Sequence, residues 1–195
     1  MILYLHGFRS SPQSFKAQLI GQRLQALGRG AEYRCPQLPA SPRHAIELAQ
    51  NLARACPPSA LTLIGSSLGG YYATWLAEQM GCRAVVLNPA ITPLRDLEKY
   101  VGVGTAFHSD QPFEFKAEYL AELRALAVER ITEAPRYFLL AATGDEVLDW
   151  RQMVSHYAGA RQCVIDGSDH GLSDFAQYLD QVLAFCGAAP EKSEA

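Results

Sequence analysis

The sequence predicts an α/β fold: six mainly parallel strands with helices on both faces. Two observations carry this. Short apolar, β-branched or aromatic runs alternate with longer segments of helical period. The runs are nearly all apolar, as parallel strands must be when both faces are covered. Taken in order, the strands are Ile2–Leu5, Glu32–Cys35, Leu61–Ile64, Ala84–Leu87, Tyr137–Ala142 and Gln162–Ile165. The helices are Ser14–Leu27, Arg43–Ala55, Leu68–Met80, Lys116–Ile131, Asp149–Tyr157 and Ser173–Phe185, each with one apolar face. Gly28, Gly81 and Gly187 follow helical stretches, where a left-handed residue ends a helix well.

One segment breaks the rhythm. From Asn88 to Arg136 roughly 50 residues separate two strands, where a crossover usually needs far fewer. The segment holds helical stretches at Leu94–Tyr100 and Lys116–Ile131, with a loop from Gly102 to Phe115 between them. It reads as a small helical cap on a single domain spanning residues 1–187. The remaining residues, 188–195 (AAPEKSEA), are small and polar and are expected to fray.

The totals narrow the function. The 195 residues are 49% hydrophobic and 19% charged, the balance of a globular chain with a real core. A net charge of −3 and the absence of basic runs mixed with aromatics argue against nucleic acid as partner. No stretch has the length of a membrane span. The chain opens directly on Ile2–Leu5, with no basic n-region or long apolar h-region, so no signal peptide is read and a cytoplasmic location is expected. Cys35, Cys56, Cys82, Cys163 and Cys186 are scattered and odd in number, as reduced thiols used as small hydrophobes would be. No Cys/His pair sits at metal-ligand spacing, and neither metal nor organic cofactor is expected. The glycines of Gly102-Val103-Gly104 do not make a nucleotide loop: Phe107 stands where a third glycine belongs and no strand precedes them.

The chemical signal is Gly65-Ser66-Ser67-Leu68-Gly69, a G-x-S-x-G frame between an apolar strand and a helical pattern. That strand–turn–helix context projects the central serine from the tip of a sheet. Only Ser67 fits the frame, because Ser66 would need glycines at Ile64 and Leu68. A serine needs a base, and on such a sheet the base follows the last strand. His170, in Asp166-Gly167-Ser168-Asp169-His170-Gly171, is placed there. His6 precedes the nucleophile, His44 and His156 fall in surface helices, and His108 falls in the cap. The acid should follow the preceding strand, which favours Asp145; Asp149 has an alternative use as a helix N-cap. Oxyanion donors are expected from the backbone N–H groups of Leu68 and of Phe8, the latter following the His6-Gly7 pair. His6, Gly7, Arg9 and Phe113 are expected to contact substrate. Phe107, Phe113 and Phe115 either line the acyl pocket or pin the cap to the body.

These residues together resemble the YqiA-like esterase family of small bacterial α/β-hydrolases. The resemblance runs through His6-Gly7-Phe8, Ser10-Ser11-Pro12, Gly65 to Gly70, Asn88-Pro89-Ala90, Thr143 to Asp149 and Asp169-His170. It implies a compact α/β-hydrolase fold, a Ser67–Asp145–His170 triad and esterase activity on a small-molecule ester. The family commonly carries Asn where this chain has Arg9, and an aromatic residue near His170 where this chain has Leu172; both positions are expected near the site mouth. The rival readings are an acyl-thioester hydrolase with the same triad and a non-catalytic binding protein on the same fold.

Overall fold

The computed structural model describes residues 1–105 and 112–188. Six strands form one sheet: β1 (Ile2–Leu5), β2 (Tyr33–Arg34), β3 (Thr62–Ser66), β4 (Arg83–Leu87), β7 (Tyr137–Ala142) and β8 (Arg161–Ile165). Their order is β2-β1-β3-β4-β7-β8 and every pairing is parallel. Between β4 and β7 a second, two-stranded antiparallel sheet is made by β5 (Gly102–Thr105) and β6 (Pro112–Phe115). The helices are α1 (Phe15–Ala26), α2 (Pro42–Ala53), α3 (Leu68–Met80), α4 (Pro93–Leu97), α5 (Glu118–Ala125), α6 (Trp150–His156) and α7 (Leu179–Phe185).

The alternation of side chains along β1 explains the layers. Ile2 and Tyr4 point into one core with Ala17, Ile20 and Leu24 of α1 and with Leu179, Val182 and Leu183 of α7. Leu3 and Leu5 point the other way, into a core with α2, α3 and α6 through residues such as Ile46, Leu76 and Met153. Both faces of the central strands are therefore covered, the condition that a parallel sheet requires, while the edge strands β2 and β8 stay partly exposed. Cys82 and Cys186 are buried in these two cores as small hydrophobes. No helix among the described residues is long and apolar enough to cross a membrane.

Three expectations are corrected. The stretch Gly102 to Phe115 is not a plain loop, since its ends pair as the β5–β6 ribbon. The helix expected over Lys116–Ile131 stops at Ala125. Beyond it, Thr132 bonds through both its N–H and its hydroxyl to the Glu78 carboxylate on α3, which draws the chain off the helical path. The last helix is likewise split, with a 3-10 turn at Phe175–Gln177 before α7. Asp174 there accepts the Ser168 hydroxyl, and Phe175 is buried in the core. Residues 189–195 of the expected tail lie outside the described residues, as do Phe107 and His108.

The strand order also positions the site. From β1 the chain steps outward to β2, then returns across β1 to β3. The carboxyl ends of β1 and β3 therefore flank a topological switch point, where open α/β sheets bind ligands.

Candidate active site

Ser67 sits at the end of β3 and is the first residue outside α3. Its backbone is held at φ 55° and ψ −120°, a conformation that costs a non-glycine residue of order 1–3 kcal/mol. The strain persists because the surroundings over-determine it. Its N–H donates to Leu87 O at 3.0 Å, and its carbonyl accepts N–H groups from Gly70 and Ala90. The flanking glycines permit this packing: a Cβ on Gly65 would lie 2.2 Å from Gly69 O, and one on Gly69 would lie 1.9 Å from Leu5 O.

The Ser67 Oγ lies 3.1 Å from His170 Nε2, and His170 Nδ1 lies 2.8 Å from Asp145 Oδ2. Three separated segments thus meet in one hydrogen-bonded chain. The Asp145 carboxylate is wholly inaccessible to solvent, whereas the imidazole keeps about a fifth of its surface exposed. Its other oxygen accepts the N–H groups of Val147 and Leu148, each at 2.8 Å, so the carboxylate has no rotational freedom left. Asp149 lies elsewhere: its side chain caps α6 by accepting Arg151 N–H at 3.0 Å. Asp169 points away from the imidazole and accepts Ser173 N–H at 2.8 Å.

The loop after β1 closes the other side. Gly7 packs against Ser67, where a Cβ would come within 3.2 Å of Ser67 Cβ. The backbone N–H groups of Phe8 and Leu68 donate to no other described residue. The Phe8 ring is gripped by the insertion, at 5.6 Å from Tyr100 and 5.2 Å from each of Phe113 and Phe115. Arg9, itself in the left-handed region at φ 58°, bonds through its guanidinium to the carbonyl and hydroxyl of Thr105 on β5. The insertion is thus tied to the loop that carries Phe8.

Above Ser67 is a cleft of about 400 Å³. Gly7, Phe8, Arg9, Leu68 and His170 line it, together with Pro93, Leu97 and Tyr100 from the insertion. Two of the expected substrate contacts are placed differently. His6 is buried and does not line this cleft. Its Nε2 accepts Leu38 N–H at 3.0 Å, which puts the proton on Nδ1, 3.0 Å from Gly7 O. Burial lowers its pKa, so it stays neutral and braces the loop. Phe113 does not line the cleft either; it stands edge-on to Phe8 at an interplanar angle of 88°, behind the site. Leu172, expected at the site mouth, is fully buried among α1 and α7 side chains.

Two positioning groups, both inside motifs quoted from the sequence, were given no role there. Asn88, fully buried with φ 42°, donates its amide to the carbonyls of Asp169 and His170 and accepts Ala142 N–H. Glu146 accepts the His170 N–H at 3.0 Å. A carboxylate next to the Asp145 position was legible, but its partner was not, because the contact spans 24 residues.

The chain belongs to the family described as "Uncharacterised protein family (UPF0227)", whose model matches residues 1–187. This bears out the expected membership of the YqiA/YcfP group of small bacterial α/β-hydrolase-like proteins. The UPF0227 protein YcfP of Salmonella paratyphi A is 24% identical over 189 residues, covering 95% of this chain and 98% of its own. Among solved structures, a candidate hydrolase from Agrobacterium vitis S4 superposes with a TM-score of 0.76 at 20% identity, covering 95% of this chain and 87% of its own. The esterase domain of a Rhodothermus marinus protein gives 0.68 at 21%, covering 94% and 85%. The α/β-hydrolase domain-containing protein 10 of mouse gives 0.69 at 14%, covering 94% and 89%. The fold is that of the α/β-hydrolase superfamily.

Proposed function

We propose that the protein is a serine esterase acting on small-molecule carboxylic esters through an acyl-enzyme. The observation that carries this is the hydrogen-bonded chain from Ser67 through His170 to the buried Asp145. A non-catalytic protein has no use for a strained serine aimed at an imidazole whose far nitrogen is held by a carboxylate.

In this reading His170 takes the Ser67 proton as Oγ attacks the ester carbonyl. Asp145, already bonded to Nδ1, keeps the imidazole in the tautomer whose Nε2 is free to accept and stabilises the imidazolium. The unengaged N–H groups of Phe8 and Leu68 receive the oxyanion. His170 then returns the proton to the departing alkoxide. Water, deprotonated by the same Nε2, releases the acid and restores Ser67. The hydrolase and esterase descriptions of the structural relatives are consistent with this chemistry.

The test is a fluorophosphonate probe with intact-mass and peptide analysis. One adduct at Ser67 is expected. Labelling at Ser66, or none under conditions that label a control esterase, defeats the reading.

A further inference from the structure

We propose, building on the serine-esterase reading, that the cleft selects esters whose alcohol portion carries an anionic group, held by Lys16 and Ser14. Both residues lie at the start of the chain's first helix and both line the cleft that holds Ser67 and His170.

The Lys16 side chain is nearly excluded from water, with 9% of the residue exposed. Its ammonium has three N–H groups, and among the described residues only the Gly171 carbonyl receives one. No carboxylate among the described residues pairs with it directly. Asp145 and Asp169 act on it only across a distance; both oxygens of Asp145 are taken up by Val147, Leu148 and His170, and Oδ1 of Asp169 by the Ser173 N–H. A buried cation without a partner is costly, and an anionic ligand would supply the missing counter-charge. Ser14 lines the same cleft, its Oγ buried next to the Tyr4 hydroxyl and in no well-formed hydrogen bond among the described residues. The remaining N–H groups of the ammonium and a hydroxyl lining the same cleft are complementary to an anion.

The position fixes which half of the ester carries the charge. His170 must hand its proton to the leaving oxygen, so the alcohol lies against His170. Lys16 is bonded to Gly171, the next residue, and so stands on the alcohol's side. The apolar lining from Leu97 and Tyr100 of the insertion is left for the acyl chain.

The experiment compares 3- and 4-acetoxybenzoate with their neutral methyl esters, which share the acyl group and differ in the charge on the phenol. Wild type is expected to prefer at least one anionic isomer by about 10-fold or more in kcat/KM, the size of a hydrogen bond to a charged group. Lys16→Met should bring that ratio close to one, and Ser14→Ala should reduce it by a smaller factor. A second measurement needs no variant. The ratio in wild type should fall between pH 7 and pH 9.5, because burial lowers the Lys16 pKa to about 8. Asp145 and Asp169 act on the same ammonium, Tyr4 and His170 line the same cleft, and the matched neutral ester cancels their effect on turnover itself. Equal rates on charged and neutral esters in wild type, or a preference that survives both Lys16→Met and high pH, overturn the proposal. Phosphonate labelling of Ser67 run alongside separates that failure from a failure of the esterase reading.

Discussion

The Asn88 amide donates to two consecutive carbonyls, those of Asp169 and His170, at 3.0 Å each. Its oxygen accepts the Ala142 N–H at 2.8 Å. One buried side chain thereby ties the ends of two neighbouring strands to the loop that carries the imidazole. The residue holds a left-handed backbone, which asparagine tolerates better than most residues. Asn88→Ala is expected to leave the Ala142 N–H unpaired, at about 1–3 kcal/mol. Turnover should fall roughly 10- to 100-fold as the imidazole loses its placement. KM should hold, since Asn88 does not line the cleft. Steady-state kinetics beside thermal unfolding check this. A lowered melting point with unchanged kcat would reduce Asn88 to a purely structural role.

Asp145→Asn should cut kcat by about 10⁴-fold, because the amide can present its N–H to Nδ1 and so favours the wrong tautomer. Asp149→Asn should change kcat little, since asparagine caps a helix nearly as well as aspartate. Asp149→Ala should cost about 1 kcal/mol of stability and again spare kcat. Paired kinetics and denaturation on the three variants decide it. Loss of turnover at Asp149 with turnover spared at Asp145 would contradict the geometry.

The elements legible in the sequence are those whose signal is local. Ile2–Leu5, Leu68–Met80 and Tyr137–Ala142 form as expected because their apolar runs and flanking residues suffice. Ser67 and His170 were legible for the same reason, each lying next to a strand end. The β5–β6 ribbon was not, because its four-residue strands gain their support from Phe8 and Arg9, about a hundred residues away. Asn88 was hidden likewise: its partners stand 54, 81 and 82 residues along the chain. His6 was misread because a histidine beside a site is equally suited to touching substrate or bracing a loop, and only the Leu38 N–H decides between them.

The position of Phe113 sets a third expectation. Its half-buried ring supports Phe8 from behind, and Phe8 carries one of the two proposed oxyanion donors. Phe113→Ala should lower stability by about 2–3 kcal/mol, less than for a fully buried ring. It should depress kcat on every p-nitrophenyl ester by a similar factor. The preference for acyl chain length should stay as in wild type, because the ring does not line the cleft. A chain-length series with thermal unfolding checks both halves; a shift toward longer chains would put Phe113 in the acyl pocket after all.

Lys16 also leaves a signature in stability. Burial lowers its pKa from 10.5 to about 8. Between those values the unfolded chain holds a proton that the folded chain has released. Stability contributed at this site therefore rises with pH across that window, by roughly 3 kcal/mol at most. Two thiols oppose it: desolvation raises the pKa of the partly buried Cys35 and the buried Cys82 to about 11, so they stay protonated in the fold while the unfolded chain ionises. The clean observable is hence the difference between wild type and Lys16→Met, which carries the same thiols. At pH 7 the variant should be the more stable of the two relative to its standing at pH 10, because it is relieved of a buried charge. Urea denaturation at pH 7, 8, 9 and 10 should show the difference moving steadily in favour of wild type. A difference that is flat across the series would mean that the ammonium is solvated in the native state and its pKa is unshifted.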